Sequence, residues 1–322
     1  MMKRLSLLVS SAGRRVGLID CFRQSAVAAG LDLEVLACDL EPGLSAACSA
    51  SDAAFAVPPY DAPAFVDAML DIVRQRGVGL VVPTIDPELG PLSVAVDRFS
   101  ALGARVHVSP PSVIDVARDK LRTAKVLAEA GVPVPETVRF EAGDPANGAI
   151  GWPAFLKPAG GSASRGIRVV ACPDDLPERV DEPMILQQLL TGPEYTVNLF
   201  IDQAGVLRSA VAHRRLRVRA GEVEKGRTER SALFSDLAAG VARALPEARG
   251  VLCFQVILDD AVGPRVFEIN ARFGGGYPLA HHAGAEYARW LMEEVADLPS
   301  TAHDNWRSGV LMLRYDAAFF AG

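Results

Sequence analysis

The first third of the chain alternates short apolar runs with longer amphipathic segments. The apolar runs predict strands at residues 5–10, 33–38, 79–83 and 105–108. Residues 16–29 and 65–76 show helical spacing of their apolar positions, and Gly30 and Gly77 follow them, where a glycine commonly ends a helix. Strands that alternate with helices predict a parallel sheet with right-handed crossovers, and such sheets bind ligands beyond the carboxyl ends of their strands.

The middle of the chain is predicted to form one helix and three strands around a glycine-rich loop. Helical spacing covers residues 113–130, and strands are expected at 152–158, 167–171 and 184–190. The loop at 159–166 lies between the first two strands, and its small residues allow backbone N–H groups to close on phosphate oxygens. It is not a Walker A loop, because no lysine and hydroxyl pair closes it and no helix follows it.

The last third of the chain is predicted to be rich in strands. Strands are expected at residues 196–201, 207–212, 251–258 and 265–270, a helix at 231–245, and a closing strand and tail within 306–320. Arginines alternate along residues 213–219, which is usual on a solvated strand face. The alternative is that Arg214 or Arg215 reaches a phosphate or a carboxylate, with Lys225 beside it on a mobile loop.

Residues 266–277 combine polar positions with an apolar strand pattern. Glu268 and Asn270 are two residues apart and therefore share one face of the strand, while Phe267 and Ile269 are expected on the other face. Arg272 and three glycines follow. A carboxylate beside a neutral oxygen ligand, followed by an arginine, suits a hard cation that carries phosphate oxygens. The alternative is an edge strand whose polar residues face water.

A hairpin is expected between the strands at 251–258 and 265–270. If Leu258 pairs with Arg265, antiparallel counting sets Gln255 opposite Glu268, on the face that also carries Asn270. A slip of one residue would turn Gln255 to the other face. The pairing therefore predicts that two strands contribute to one polar cluster.

Polar residues also occur where the strands of the first third end. Arg14 opens a helix, whose free N–H groups favour an anion, so it is a candidate to bind a carboxylate or a phosphate. Asp39, Thr84 and Asp86 follow two further strands. The alternative is ordinary turn chemistry, in which the aspartates cap helices.

The start of the chain also resembles a dinucleotide-binding turn in part. Gly13 and Gly17 open a helix after the first strand, and Asp39 ends the second strand. Ser11 occupies the position of the first glycine in G-x-G-x-x-G, and the adjacent arginines would crowd a pyrophosphate. NAD binding is therefore only a distant rival interpretation.

The composition is that of an ordinary globular enzyme. The 322 residues are 50% hydrophobic and 22% charged, and the net charge of −6 argues against a general binder of nucleic acid or anionic membranes. No apolar run is long enough to span a bilayer, and no signal-peptide pattern is present. Five scattered cysteines without CxxC spacing suit a reducing cytoplasm. His281 and His282 lack the further ligands of a zinc site.

The order of several short motifs resembles the ATP-grasp superfamily. The motifs are Asp119 with Lys120, GVPVP at 131–135, FLKP at 155–158, the glycine-rich loop, residues 187–194, and FEINARFGGG at 267–276. The resemblance extends from the N-terminus to around Leu291, and it is closest to the branch of the carbamoyl-phosphate synthetase large chain and the carboxylate–amine ligases.

This resemblance implies an α/β fold that becomes α+β in the C-terminal part. It implies a Rossmann-like, pre-ATP-grasp parallel sheet in residues 1–110. The small lid subdomain with its helical connector is expected in residues 111–190, and the large catalytic subdomain in residues 191–322.

The resemblance also implies roles for individual positions. Two lysines would hold the phosphates of ATP, the glycine-rich loop would close over them, and residues 187–190 with Glu194 would bind adenine and ribose. The implied ATP-binding residues are Lys120, Lys157, Gly161, Ser162, Ser164, Gly166, Gln187, Gln188, Leu189, Leu190 and Glu194. The implied ligands of Mg²⁺ are Gln255, Glu268 and Asn270. Catalytic roles fall to Arg272, Arg214 and Lys225, and substrate contacts to Arg14, Asp39, Thr84, Asp86 and Gly275.

The activity that the resemblance implies is ADP-forming carboxylate–amine ligation through an acyl phosphate, with ATP and Mg²⁺ as cofactors. The expected partners are a small-molecule carboxylate and an amine, and a homodimer is expected, without nucleic acid or membrane. One alternative is a carbamoyl-phosphate synthetase-like enzyme that uses bicarbonate, although this chain carries one copy of the unit. The other is a nucleotide-binding regulatory module without turnover.

Overall fold

The computed structural model describes residues 2–142, 150–160 and 166–320, and the N-terminal part forms the predicted parallel sheet. Its strands are β1 (Lys3–Ser10), β2 (Leu31–Asp39), β3 (Ala53–Ala56), β4 (Leu80–Pro83) and β5 (Arg105–Val106), in the order β3-β2-β1-β4-β5. All four neighbouring pairs are parallel. The helices are α1 (Val16–Ala29), α2 (Ala46–Ala50), α3 (Phe65–Arg76), α4 (Asp86–Val94) and α5 (Val96–Ser100). The predictions of α1 and α3 are confirmed to the residue.

Two antiparallel sheets follow, which confirms the predicted fold class. The helices α6 (Pro111–Arg118) and α7 (Lys120–Glu129) lead to a sheet of β6 (Thr137–Phe140), β7 (Ala154–Pro158), β8 (Arg168–Val170) and β9 (Met184–Gln188). The third sheet contains β10 (Glu194–Ile201), β11 (Leu207–Arg219), β12 (Glu222–Thr228), β13 (Gly250–Asp259), β14 (Gly263–Asn270) and β15 (Leu311–Leu313). Its order is β14-β13-β10-β11-β12-β15, and the helices are α8 (Ala232–Ala244), α9 (Tyr277–His282) and α10 (Tyr287–Val295).

One apolar core joins the parallel sheet to the third sheet. Phe22 of α1 meets Phe273 edge-on with 5.6 Å between ring centroids, and Phe200 of β10 meets Trp290 of α10 at 5.4 Å. All four side chains are fully buried or nearly so. This packing holds the carboxyl ends of the parallel strands against the glycines that follow β14. None of the helices in the described ranges is long and apolar enough to span a membrane.

The helix predicted at 113–130 is divided into α6 and α7 at Asp119. The Asp119 carboxylate accepts hydrogen bonds from the backbone N–H groups of Leu121 (2.9 Å) and Arg122 (3.1 Å), so it caps α7 and competes with continued helix. The break makes Lys120 the first residue of α7, and its N–H donates to the carbonyl of Ala159 at 3.0 Å. The cap thus places Lys120 beside the start of the glycine-rich loop.

The closing strand predicted within residues 306–320 is confirmed as β15. Strand β15 pairs with β12, setting Leu313 opposite Lys225. The prediction that Lys225 lies on a mobile loop is wrong, because Lys225 is inside β12 and is flanked by β11 and β15. The boundaries proposed at 110 and 190 stay predictions.

Candidate active site

A cavity of about 520 Å³ lies where the three sheets meet. This is within the usual range of small-molecule sites, roughly 300–1,000 Å³. The predicted site residues that line it are Lys120, Lys157, Gln187, Gln188, Leu190, Glu194, Gln255, Glu268, Asn270, Arg272, Arg14, Thr84, Asp86 and Gly275. Residues that are far apart in sequence therefore converge on one space.

Two lysines enter the cavity from the second sheet and from α7. Lys157 is only 6% exposed, and its Nζ donates to Gln187 Oε1 at 2.6 Å. Burial, together with the nearby charge of Lys120, lowers the pKa of Lys157 to about 8. Burial also lowers the pKa of Lys120, against the opposing charge of Glu268. Both ammonium groups are therefore placed where an anionic ligand would stabilise their charge.

The hairpin brings Gln255 opposite Glu268, as predicted. The assumed pair of Leu258 with Arg265 is wrong by one residue, because Leu258 pairs with Pro264. A bulge at Phe267 absorbs the difference. The prediction that Phe267 faces away from the polar side is also wrong, since Phe267 lines the cavity and its ring centroid lies 5.6 Å from Lys157 Nζ. Two successive residues of a bulge oppose one residue of the partner strand, and here that re-aims the aromatic ring.

The polar trio of Gln255, Glu268 and Asn270 fits a magnesium ion. When the amide oxygen of Gln255 points towards Glu268, an amide oxygen and a carboxylate face each other, and a cation bound between them would satisfy both acceptors. With the amide turned, its nitrogen donates to Glu268 at 2.8 Å and its oxygen accepts from Arg215 at 2.9 Å. One carboxylate and two amide oxygens are suitable ligands for Mg²⁺. Within the described ranges, no cluster of three or more His, Cys, Asp or Glu side chains offers a competing metal site.

Arg272 links the metal trio to the parallel sheet. One of its terminal nitrogens donates to Asp86 at 2.6 Å and to Asn270 Oδ1 at 3.0 Å. Burial acts to lower the pKa of Arg272, but Asp86, Cys253 and Glu268 together outweigh it, so the pKa is raised overall. Asp86, which was predicted to contact substrate, lines the cavity as the partner of Arg272.

The predicted nucleotide end of the cavity is built around side chains that bind one another. Besides accepting from Lys157, Gln187 donates to Thr137 at 2.9 Å, so its amide fixes the lysine. Glu194 forms an ion pair with Arg215 at 3.1 Å, and burial raises the pKa of the Glu194 carboxyl. Gly161, Ser162 and Ser164, which were predicted to cover ATP phosphates, lie outside the described residues.

Five of the predicted residues that are described lie outside the cavity wall: Arg214, Lys225, Asp39, Leu189 and Gly166. Arg214 pairs with Tyr195, whose ring packs against Phe234 of α8, on the opposite face of the third sheet. Arg215 therefore lines the cavity in place of Arg214.

Two carboxylates shape the strand ends instead of binding in the cavity. Asp39 accepts from the backbone N–H of Gly13 at 2.7 Å, which supports the interpretation of Asp39 as a turn residue. Glu88, which the sequence patterns did not single out, is fully buried and accepts from Ser10 at 2.6 Å and from the N–H of Thr84 at 2.7 Å. These bonds fix the two strand ends that face the cavity.

Sequence reasoning missed a cluster of charges beside the glycines. Glu222 lies within ion-pair distance of Arg14 (3.4 Å), Arg15 (3.1 Å) and Arg314 (3.0 Å). Burial acts to raise the pKa of Glu222, but the surrounding guanidinium groups hold it below its ordinary value. The pair of arginines that opens α1 was a usable signal, whereas neither Glu222 nor Arg314 belongs to a recognisable motif.

Two family models match the chain in sequence. Residues 117–276 match the model of the ATP-grasp domain, and residues 7–107 match that of the PylC-like N-terminal domain. The chain is 29% identical over 136 residues to a D-alanine–D-alanine ligase of Desulforudis audaxviator, covering 38% of this chain and 44% of that protein. It is 30% identical over 164 residues to a formate-dependent phosphoribosylglycinamide formyltransferase of a Synechococcus species, covering 48% and 38%. The chain thus spans less than half the length of these curated relatives.

Solved structures share the fold at low sequence identity. The biotin carboxylase domain of the Hydrogenobacter thermophilus 2-oxoglutarate carboxylase has a TM-score of 0.74 at 17% identity, covering 95% of this chain and 73% of that chain. That structure contains MgADP, ADP and bicarbonate. N5-carboxyaminoimidazole ribonucleotide synthetase from Thermotoga maritima has a TM-score of 0.65 at 17% identity, covering 94% and 78%.

Proposed function

The chain belongs to the ATP-grasp superfamily, and from this membership we propose that the protein is an ATP-dependent, ADP-forming carboxylate–amine ligase that works through an acyl phosphate. The observation that carries the proposal is the convergence of Lys120, Lys157, Glu268 and Arg272 on one cavity. One buried and one half-buried lysine, a carboxylate beside two amides, and an arginine are the groups that phosphoryl transfer to a carboxylate needs.

In this proposal the lysines hold the phosphates of ATP. Lys157 is fixed by Gln187, and Lys120 is fixed by the break between α6 and α7 together with its 3.3 Å hydrogen bond to the carbonyl of Gly160. Leu190 and Glu194 lie in the wall of the same cavity and are placed to meet the nucleoside. The buried position of Lys157 strengthens its attraction for phosphate oxygens.

Gln255, Glu268 and Asn270 would hold Mg²⁺, which neutralises charge on the phosphate oxygens when it is bound. The fit rests on the donor set, in which the Gln255 amide oxygen can face Glu268 if a cation lies between them, whereas the turned amide binds Glu268 and Arg215 directly. Arg272 contacts Asn270 and is therefore positioned beside the reacting phosphate.

The proposed reaction balances as two displacements. A carboxylate oxygen of the acid attacks the γ-phosphorus of ATP, the bond to the bridging oxygen breaks, and ADP leaves. The amine then attacks the acyl carbon, phosphate leaves, and the amine nitrogen gives up a proton. Arg272 and Arg215 would stabilise the negative charge that develops on the transferred group. No covalent enzyme intermediate is required.

The proposal is tested by supplying the purified protein with Mg-ATP and pools of carboxylic acids and amines, and measuring ADP and phosphate. ADP release that needs both an acid and an amine supports the ligase. Bicarbonate as the only effective acid would favour the carbamoyl-phosphate synthetase-like alternative. ATP binding without turnover across the pools would favour a regulatory module. The expected homodimer stays a prediction, which sedimentation velocity would test.

A further inference from the structure

We propose that the end of the cavity beside the parallel sheet is a second anion site, formed by Arg14 and Arg15 of the cavity wall, while Arg314 holds Glu222 from outside the cavity lining. The acid substrate would then carry a second anionic group in addition to the carboxylate that is phosphorylated. This inference rests on the proposed function and names the substrate class for the same site.

The charges at this end of the cavity do not balance. Glu222 is shared by three guanidinium groups, at 3.4 Å (Arg14), 3.1 Å (Arg15) and 3.0 Å (Arg314). The other nearby carboxylate, Asp86, is engaged by Arg272 at 2.6 Å. These four arginines and two carboxylates together carry a net charge of +2. Each guanidinium has five N–H donors, so one shared carboxylate cannot satisfy them all.

Arg15 is largely buried, close to other cations. The Arg15 side chain is only 16% exposed. Burial lowers the pKa of Arg15, and Arg272 and Arg314 lower it further, while Glu222 acts in the opposite direction. A bound anion would offset both the burial and the repulsion.

The glycines after β14 allow these charges to meet the loop backbone. A Cβ on Gly275 would lie 2.6 Å from the carboxyl carbon of Glu222 and 2.8 Å from Nη1 of Arg15, distances that real Cβ atoms do not show. Arg314 donates to the carbonyl oxygen of Gly275. Because it has no side chain, Gly275 therefore leaves room for the arginine cluster as well as for a substrate.

The anion site and the metal trio line the same cavity. Arg272, which contacts Asn270 at 3.0 Å, is near enough to Arg15 for its charge to lower the pKa of Arg15. An acid whose second anionic group binds Arg14 and Arg15 could thus present its carboxylate to the γ-phosphate.

The C-terminal segment supplies Arg314, which lies outside the cavity lining and holds Glu222. Pairing of β15 with β12 sets Leu313 opposite Lys225, and the backbone N–H of Arg314 donates to the carbonyl of Glu224 at 3.0 Å. Two residues later, Asp316 forms an ion pair with Arg219 at 2.6 Å. A short edge strand therefore places Arg314 over Glu222.

The matching ligand class is a small acid with two anionic groups, the second being a carboxylate or a phosphate. Isothermal titration calorimetry in the presence of Mg-ADP would compare succinate and phosphoglycolate with butyrate, the monoanionic match for succinate. We expect at least one dianion to bind about tenfold or more tightly than butyrate, because hydrogen bonds to charged groups are strong. Preference for succinate or for phosphoglycolate identifies the second group.

The variant Arg15→Met should weaken binding of the preferred dianion by about tenfold and leave butyrate binding nearly unchanged. Arg15→Lys should restore part of the loss. Arg219→Met, which removes an arginine that pairs with Glu224 and Asp316 and does not line the cavity, should bind as the wild type does. Dianions that bind no better than butyrate, or an Arg15→Met variant that loses both ligands equally, would overturn the second anion site. Failure of the ligase proposal would be seen separately, as dianion binding without any ADP release from Mg-ATP.

Discussion

The affinity for Mg-ATP should fall as the pH rises through the pKa of Lys157. This pKa is lowered from 10.5 to about 8, first by burial and then by the charge of Lys120. Below about pH 8 the side chain is an ammonium ion that can bind phosphate, and above it the free protein loses that charge. Phosphate oxygens favour the charged form, so binding above this pH requires proton uptake.

The expected size of the effect follows from the shift in pKa. If bound nucleotide returns the pKa of Lys157 to its ordinary range, the association constant falls nearly tenfold per pH unit above 8. Between about pH 7.5 and about pH 9.5 the loss is roughly 20-fold, or ~1.8 kcal/mol. Proton uptake on binding rises from about 0.2 to about 0.9 per nucleotide over the same interval. Lys120, whose pKa burial also lowers, acts in the same direction.

Calorimetry in two buffers with different ionisation enthalpies measures both the affinity and the proton uptake. The variant Lys157→Arg keeps its charge over this range, so the fall that begins near pH 8 should disappear. Lys225→Arg is the matched control, since Lys225 does not line the cavity, and it should titrate as the wild type does. Equal wild-type affinity at both pH values, or an unchanged fall in Lys157→Arg, would refute the placement of Lys157 against the phosphates.

Three further substitutions test individual parts of the site. Glu268→Gln removes the only carboxylate of the proposed metal trio, so turnover should fall by about 100-fold or more. The thermal unfolding midpoint should stay near that of the wild type. Near-normal turnover would contradict the assignment of Glu268 to the metal site. Gly275→Ala would place a Cβ 2.6 Å from the carboxyl carbon of Glu222, so the KM for the acid should rise by about tenfold. The control is Gly43→Ala, which should have wild-type kinetics because no atom lies within 4 Å of the added Cβ. Arg215→Met should lower turnover by about tenfold or more, with Arg214→Met close to wild type; equal effects would contradict the assignment of the two strand faces.

Features set by local periodicity could be predicted from the sequence. Helical spacing and a terminal glycine gave the bounds of α1, which ends at Gly30 in the left-handed conformation. The strand period and the short turn after β13 brought Gln255 opposite Glu268, even though the assumed pair at Leu258 was displaced by the bulge. The two lysines were found because they occur in a recognisable order of motifs, and both line the cavity.

Features that depend on competing local preferences were missed. Asp119 sits within helical spacing, but its carboxylate caps α7, and the helix breaks there. The bulge at Phe267 changes the direction of a ring without changing the apolar pattern. The face of the sheet on which the Arg215 side chain lies depends on the pairing of Thr196 with His213. No sequence pattern within β11 reveals that pairing.

Features that depend on long-range pairing were missed for a different reason. Glu222 and Arg314 are 92 residues apart and meet only because β15 pairs with β12. Each occurs in an ordinary polar stretch, and a single sequence gives no sign that they share a site. The cluster became visible only when the third sheet was assembled.

Isotope transfer from the acid to phosphate tests the proposed ligase mechanism most directly. A pool of carboxylic acids whose carboxylate oxygens have been exchanged for ¹⁸O would be turned over with Mg-ATP and an amine pool, and the released phosphate analysed by mass spectrometry. An acyl phosphate requires one oxygen of the acid to leave with phosphate, so each phosphate formed from a labelled acid should carry one ¹⁸O. Phosphate that is released with ADP but contains no ¹⁸O would contradict the mechanism.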